Sequence, residues 1–447
     1  MRGNLKFFAL ALLLCAFTSC SKEVNTNPEP VVDASPKSYT ILYYNCCSGL
    51  DAAIEPFFDH VGELNIPEHI NVVGQVKWTY GYKSSYSDGS GGVQRFVFNH
   101  EENKTQRIHF ADINYRVDDP QNFADFITWA REIAPADEYI MVFCGHGNAY
   151  HPAFDDVTRG ILRDDQFTSY LGIGDICEAF DIANVAENKF ALTMMVCCLM
   201  NTLEYATELV PYTDYYLASG HVTAATSGEL YLLVDGLIKH GQDEDAIVNA
   251  TKYAVDADYE AFYSQVEHTV DTALTKSSRI KKLNSKIADF VDRMCALYVE
   301  QGYTGEGPMM DTHGFTTKEM DAALAASYYY LQPYMGEGSV EQYEWYRRSY
   351  SFDIVDIARS VAEATKDTRL ELYAREIQEA AEDAILYYNS SNLSIDRVYY
   401  AVTLVNSNQW EELGFEDANY YGLAFDKATG WSELLKINNA KFVHDVE

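Results

Sequence analysis

The 447-residue chain predicts an α/β fold, with a mostly parallel sheet covered by helices on both faces and a helix-rich C-terminal region after it. Three observations carry this expectation. Continuous apolar runs such as YIMVFC and LTMMVC fit central strands buried on both faces. These runs alternate with stretches whose apolar residues recur at helical spacing, the pattern of parallel strands joined by crossover helices. From about Gly241 the texture changes to long helical stretches.

Taken in order, the chain opens with a basic start (Arg2, Lys6), an apolar stretch from Phe7 to Phe17, and small residues before Cys20. Residues 1–19 therefore read as a secretory signal, too short for a comfortable membrane span. The ending Phe17-Thr18-Ser19-Cys20 resembles a bacterial lipobox, which implies lipidation at Cys20 and an exported, membrane-anchored protein facing the periplasm or the cell surface. Residues 20–37 are polar, proline-bearing and without periodicity, as expected of a flexible tether.

The folded core is expected over 38–240. YTILYYNCC reads as the first buried strand, Asp51 to Leu64 as a helix, and INVVGQVKWTY as the second strand. VQRFVFNH and QRIHFADI fit a hairpin around the polar turn Glu101 to Thr105. PQNFADFITWAREIA places Phe123, Phe126, Ile127, Ala130 and Ile133 at helical spacing, and YIMVFCG follows as a strand. Next come a helix entry (SYLGIGDICEAFDIA), a strand (FALTMMVC), a helix (MNTLEYATELV) and a strand (YYLASG). Residues 241–447 form the helix-rich region, including DIARSVAEATKDTRLELYAREIQEAAEDAILYY.

A net charge of −34, from 67 acidic against 33 basic residues, argues against nucleic acid, whose phosphates need a basic surface. Plentiful carboxylates leave calcium open as a cofactor, although no EF-hand spacing occurs. Of nine cysteines, Cys15 falls in the signal and Cys20 at the lipobox. An odd number remains, scattered or in vicinal pairs, which is not a disulfide framework, and no paired CxxC suggests structural zinc. His146, His151, Asp155 and Asp156 match no zinc spacing, so no metal ligands are assigned.

Two apolar strands far apart in sequence each deliver a reactive side chain where the strand stops: His146 after YIMVFCG, and Cys197–Cys198 after FALTMMV. In open α/β sheets the site lies beyond the carboxyl ends of the strands. A lone His-Gly is ordinarily a loop histidine, and a lone apolar cysteine ordinarily core packing. Together at strand ends they match what a cysteine hydrolase needs: a thiol, an imidazole and oxyanion donors. Gly147 lets its N–H come close to a substrate carbonyl. A helix starting near Asn201-Thr202 would favour the thiolate.

The blocks PAxEYIxxFxxHG (Pro135, Ala136, Tyr139, His146, Gly147) and CLMxxxEYAxEL (Cys198 to Leu209) resemble the two signatures of the clostripain-like cysteine peptidases. DDPQNFADFITWA, YYLASG, FDIVDIAR and YYGLAFDKATGWSELL add supporting likeness over most of the mature chain. The order of blocks, shared with caspases, legumains and gingipains, implies a caspase-like α/β/α core. The family's usual Asp-Ala-Cys-Leu-Met implies Cys198 as nucleophile, with Cys197 at the alanine position, and His146 as general acid/base. The substrate implied is a protein or peptide.

Departures bear on specificity. Relatives that cut after Arg or Lys have acidic residues in the P1 pocket, whereas this chain has Val196 at one such position and a residue near Thr226 at the other. Ser219-Gly220-His221 stands where Ser-Glu-Glu is common. A buried cationic side chain without a counter-ion is costly, so the pattern does not predict strong Arg or Lys preference. A competing reading is a surface lipoprotein whose pocket has drifted to a binding or assembly role. The resemblance also implies maturation by a cut between the two blocks, with Arg159 and Arg163 as basic candidates in AFDDVTRGILRDDQ. The same pocket chemistry disfavours self-cleavage there, so the expectation is either no self-processing or processing by another protease, with the single chain already competent.

Overall fold

The computed structural model describes residues 37–147, 149–150, 160–221, 223, 228–263, 271–300, 351–390, 399–403 and 420–434. The signal segment, Cys20, nearly all of the tether, His151, Asp155, Asp156, Arg159 and Thr226 lie outside these residues. Through the first half run β1 (Lys37–Cys46), α1 (Asp51–Glu63), β2 (Ile70–Lys77), β3 (Val93–Asn99), β4 (Lys104–Ala111), α2 (Pro120–Ile133) and β5 (Ala136–Cys144). There follow β6 (Ile161–Asp164), β7 (Ser169–Leu171), α3 (Ile173–Ile182), β8 (Phe190–Val196), α4 (Leu203–Glu208), β9 (Thr213–Ala218), α5 (Gly228–His240) and α6 (Ala246–Asp258). The remainder contributes β10 (Asp271–Lys276), α7 (Ser277–Glu300), β11 (Ser351–Asp353), α8 (Ile354–Thr365), α9 (Thr368–Ala384), β12 (Ile385–Ser390), β13 (Ala401–Thr403) and α10 (Ala424–Thr429).

A nine-stranded sheet of order β12-β10-β9-β8-β5-β1-β2-β3-β4 forms the middle layer. Pairs from β9 to β2 are parallel, whereas β2–β3, β3–β4, β9–β10 and β10–β12 are antiparallel. The sheet is therefore mixed, which corrects the expectation of a mostly parallel one. At one edge the tight turn between β3 and β4 permits only antiparallel return. At the other, two strands come from the C-terminal half. ILYYNS continues a helical pattern in sequence, yet its β-branched and aromatic residues pair with β10 once α9 ends at Ala384.

Alternation along each strand divides the core. Leu42, Tyr44, Met141, Phe143, Met195 and Cys197 face the layer of α2, α3, α4, α7, α8 and α9. Ile41, Tyr43, Val142, Cys144, Met194 and Val196 face α1, α5 and α6. This period of two also explains why the central runs read as continuously apolar, since both faces are covered. Helix starts follow local chemistry: Asp119 caps the N–H groups of Gln121 and Asn122, with Pro120 at the first helical position.

Candidate active site

Three adjacent parallel strands, β8, β5 and β1, end together. Asn45 pairs with Cys144, and Cys144 with Val196, so the positions just beyond them bring Cys47-Ser48, His146-Gly147 and Cys198 to one edge of the sheet. Gly147 packs directly on the cysteine block. A Cβ there would lie 2.4 Å from the Cys198 carbonyl oxygen and 2.8 Å from the Cys197 Cβ, contacts that only glycine avoids.

His146 is held by its neighbours. Its Nε2 lies 3.1 Å from the Ser48 carbonyl oxygen, and its own carbonyl accepts from Leu162 N at 2.8 Å. A carbonyl only accepts, so the ring proton sits on Nε2 and the lone pair of the neutral imidazole is on Nδ1. Ser48 meets the ring through its backbone carbonyl and escaped the sequence reading. The available signal was that YTILYYNCC stops at Ser-Gly exactly as the other two runs stop at their reactive residues.

The two cysteines part company at the strand end. Cys197 continues the alternation into the core and is fully buried, while Cys198 turns out of the sheet and is half-buried. Burial pushes both thiols upward, Cys197 well above the ordinary range. For Cys198 this is offset in part by hydrogen bonding to Thr223, whose hydroxyl oxygen lies 3.7 Å from Sγ. The helix expected near Asn201-Thr202 is α4, which begins at Leu203 with Thr202 capping Tyr205 N. Leu199, directly after Cys198, adopts φ +64°, a conformation a branched side chain rarely takes.

Val196 ends β8 with its side chain in the α1/α5/α6 layer. Ser219 is buried, its hydroxyl given to Asp271 Oδ1 at 3.0 Å. Beneath the cysteine block lies an unforeseen acidic pair, Glu229 and Asp258. Burial drives both carboxyls up, and Glu229 adds repulsion on Asp258 that a hydrogen bond from the Glu229 backbone partly offsets. A cavity of about 220 Å³ opens on the His146 side, lined by Ser48, Trp78, Tyr80, Ile113 and the buried Lys77–Asp164 ion pair (2.7 Å). Arg163, expected in a loop, lies in β6, and its carbonyl accepts from Cys46 Sγ at 3.2 Å. Among the described residues the cysteines are free thiols, no group of His, Cys, Asp and Glu is arranged to hold a metal ion, and no helix is long and apolar enough to cross a membrane.

The fold has solved counterparts. A secreted C11 cysteine protease from Bacteroides thetaiotaomicron, in complex with an irreversible peptide inhibitor, superposes with a TM-score of 0.62 at 13% identity, covering 89% of this chain and 99% of that one. An inactive zymogen C11 protease from Parabacteroides distasonis gives a TM-score of 0.58 at 15% identity, again covering 89% of this chain and 99% of the other. At such identities the likeness speaks for the fold. No curated protein matches the chain. The model of the Clostripain family matches residues 86–437, which spans both strand-end blocks and most of the C-terminal half. The chain thus belongs to the clostripain family and is a cysteine peptidase.

Proposed function

We propose that the protein hydrolyses internal peptide bonds of proteins or peptides, with Cys198 as nucleophile and His146 as general base and then general acid. The observation that carries this reading is the packing of the His146-Gly147 turn on the backbone of Cys197–Cys198. In the resting site burial raises the Cys198 thiol and so favours its protonated form. With substrate bound, His146 Nδ1 takes the thiol proton as sulfur attacks the carbonyl carbon, and Nε2–H stays on the Ser48 carbonyl. The Gly147 N–H offers a donor to the developing oxyanion. His146 then gives its proton to the leaving amine as the C–N bond breaks, and water attacks the thioester with His146 as base.

Export and a lipid anchor at Cys20 are supported by the basic start, apolar run and small-residue approach of the first segment, and the B. thetaiotaomicron relative is itself described as secreted. Val196 in the position of an acidic residue supports a P1 preference other than strongly Arg or Lys. The placement of Arg163 within β6 supports a single chain that is competent without a cut there.

The test is Cys198→Ala beside Cys197→Ala. Cys198→Ala should lose activity by at least about 10³-fold and lose labelling by a thiol-directed probe. Cys197→Ala should keep a substantial part of both. Full activity in Cys198→Ala overturns the assignment.

A further inference from the structure

We propose that Asp271, the first residue of β10, is a positioning residue for the nucleophile, acting through the segment Ser219–His221. This rests on the reading of Cys198 as nucleophile. Asp271 is fully buried two strands away from β8 and touches none of the reacting groups. Its Oδ1 gathers four donors from one short segment: Ser219 Oγ at 3.0 Å, Gly220 N at 3.1 Å, His221 N at 3.0 Å and His221 Nδ1 at 2.7 Å. Such convergence on one carboxylate oxygen is strong and directional.

The same segment turns its carbonyls toward the cysteine block. The His221 carbonyl accepts from Leu199 N at 2.9 Å, and the Ser219 carbonyl accepts from Asn201 N at 2.8 Å. These bonds clasp both ends of the turn that leaves Cys198, and Leu199 within it holds its uncommon φ of +64°. Thr223, which approaches the Cys198 sulfur, follows two residues after His221. A chain of short bonds thus runs from Asp271 to the backbone that directly follows the nucleophile. A segment that slackens moves the thiol relative to His146, and misplacement by about 1 Å costs on the order of 10²-fold in rate.

The experiment measures peptide hydrolysis by the full chain per active site, with sites counted by covalent probe and mass spectrometry. Asp271→Ala should lower kcat per labelled site by ~10–100-fold while KM changes by less than about threefold. Asp271→Asn, which keeps an acceptor oxygen, should recover most of that loss. A merely structural role would lower the number of labelled sites and leave kcat per site at the wild-type value, and that result overturns the proposal. Asp271→Asn no better than Asp271→Ala also overturns it. If Asp271→Ala gives no soluble protein, Ser219→Ala decides: it removes one donor and should cost several-fold in kcat per site, and an unchanged value sinks the idea. Wild type labelled elsewhere than Cys198 would instead refute the assignment of the nucleophile, and the clamp with it.

Discussion

His146 and Cys198 are supported in opposite ways. The imidazole is fixed by the neighbouring strand end at Ser48 and by Leu162, both inside the central α/β core. The thiol side depends on residues far along the chain. Ser219 and His221 answer to Asp271, Asn201 donates to the Tyr399 carbonyl at 2.7 Å and accepts from Ala401 N at 2.9 Å, and buried Glu204 accepts from Thr403 N at 2.8 Å. Trp431, fully buried, then donates to the Thr403 carbonyl at 2.8 Å. Among the described residues the His146 turn is thus held from within the core, whereas the turn after Cys198 is held by residues of the C-terminal half. Damage to that half should reach the chemistry through Cys198.

The largest effect should come from His146→Ala, which removes the proposed general acid/base and should lower kcat by about 10²–10⁴-fold while the melting temperature stays near wild type. Unchanged kcat would break the comparison at its first term. Next in size is Glu204. Its Oε1 serves Thr403 N and the Tyr420 hydroxyl (3.2 Å), so Glu204→Ala leaves buried donors unpaired and should cost about 1–3 kcal/mol in urea unfolding. Glu204→Gln preserves the acceptor and removes a buried acid that burial already disfavours, so it should cost much less. Equal losses in the two variants would show that the acceptor is not what joins the halves.

The smallest effect concerns the acidic pair under the cysteine block. Burial raises Glu229 to about 7 and Asp258 to about 9, with Glu229 repulsion adding to the latter. A carboxyl raised in the folded state keeps a proton that the unfolded chain has lost. Stability is then full below the ordinary carboxylate range and falls as pH rises through these values. Melting temperatures from about pH 5 to pH 9 should decline, and Asp258→Asn should flatten the decline without touching the Ser48 side. The same slope in the variant would remove the pair from the account.

Much of this was legible in the amino-acid order because its causes are local. Apolar runs stopping at His146 and Cys198 marked the edge of the sheet that carries the candidate site, since a parallel strand buried on both faces must be apolar until it ends. Period-two alternation, carried one residue past β8, buries Cys197 and leaves Cys198 half-buried. Helices such as α2 were legible from spacing and caps. What only the tertiary structure decided depends on pairing across distance. DTALTK and ILYYNS join the sheet because an open edge at β9 accepts them, and that antiparallel edge, together with β3 and β4 at the other, makes the sheet mixed. Ser48 serves the imidazole through a backbone carbonyl, which every residue has and no side-chain pattern can mark. Asp271 is one acid among 67 acidic residues, and only its burial against Ser219, Gly220 and His221 sets it apart. Side-chain identity and spacing are written in sequence, whereas which buried carboxylate meets which backbone N–H is settled by packing.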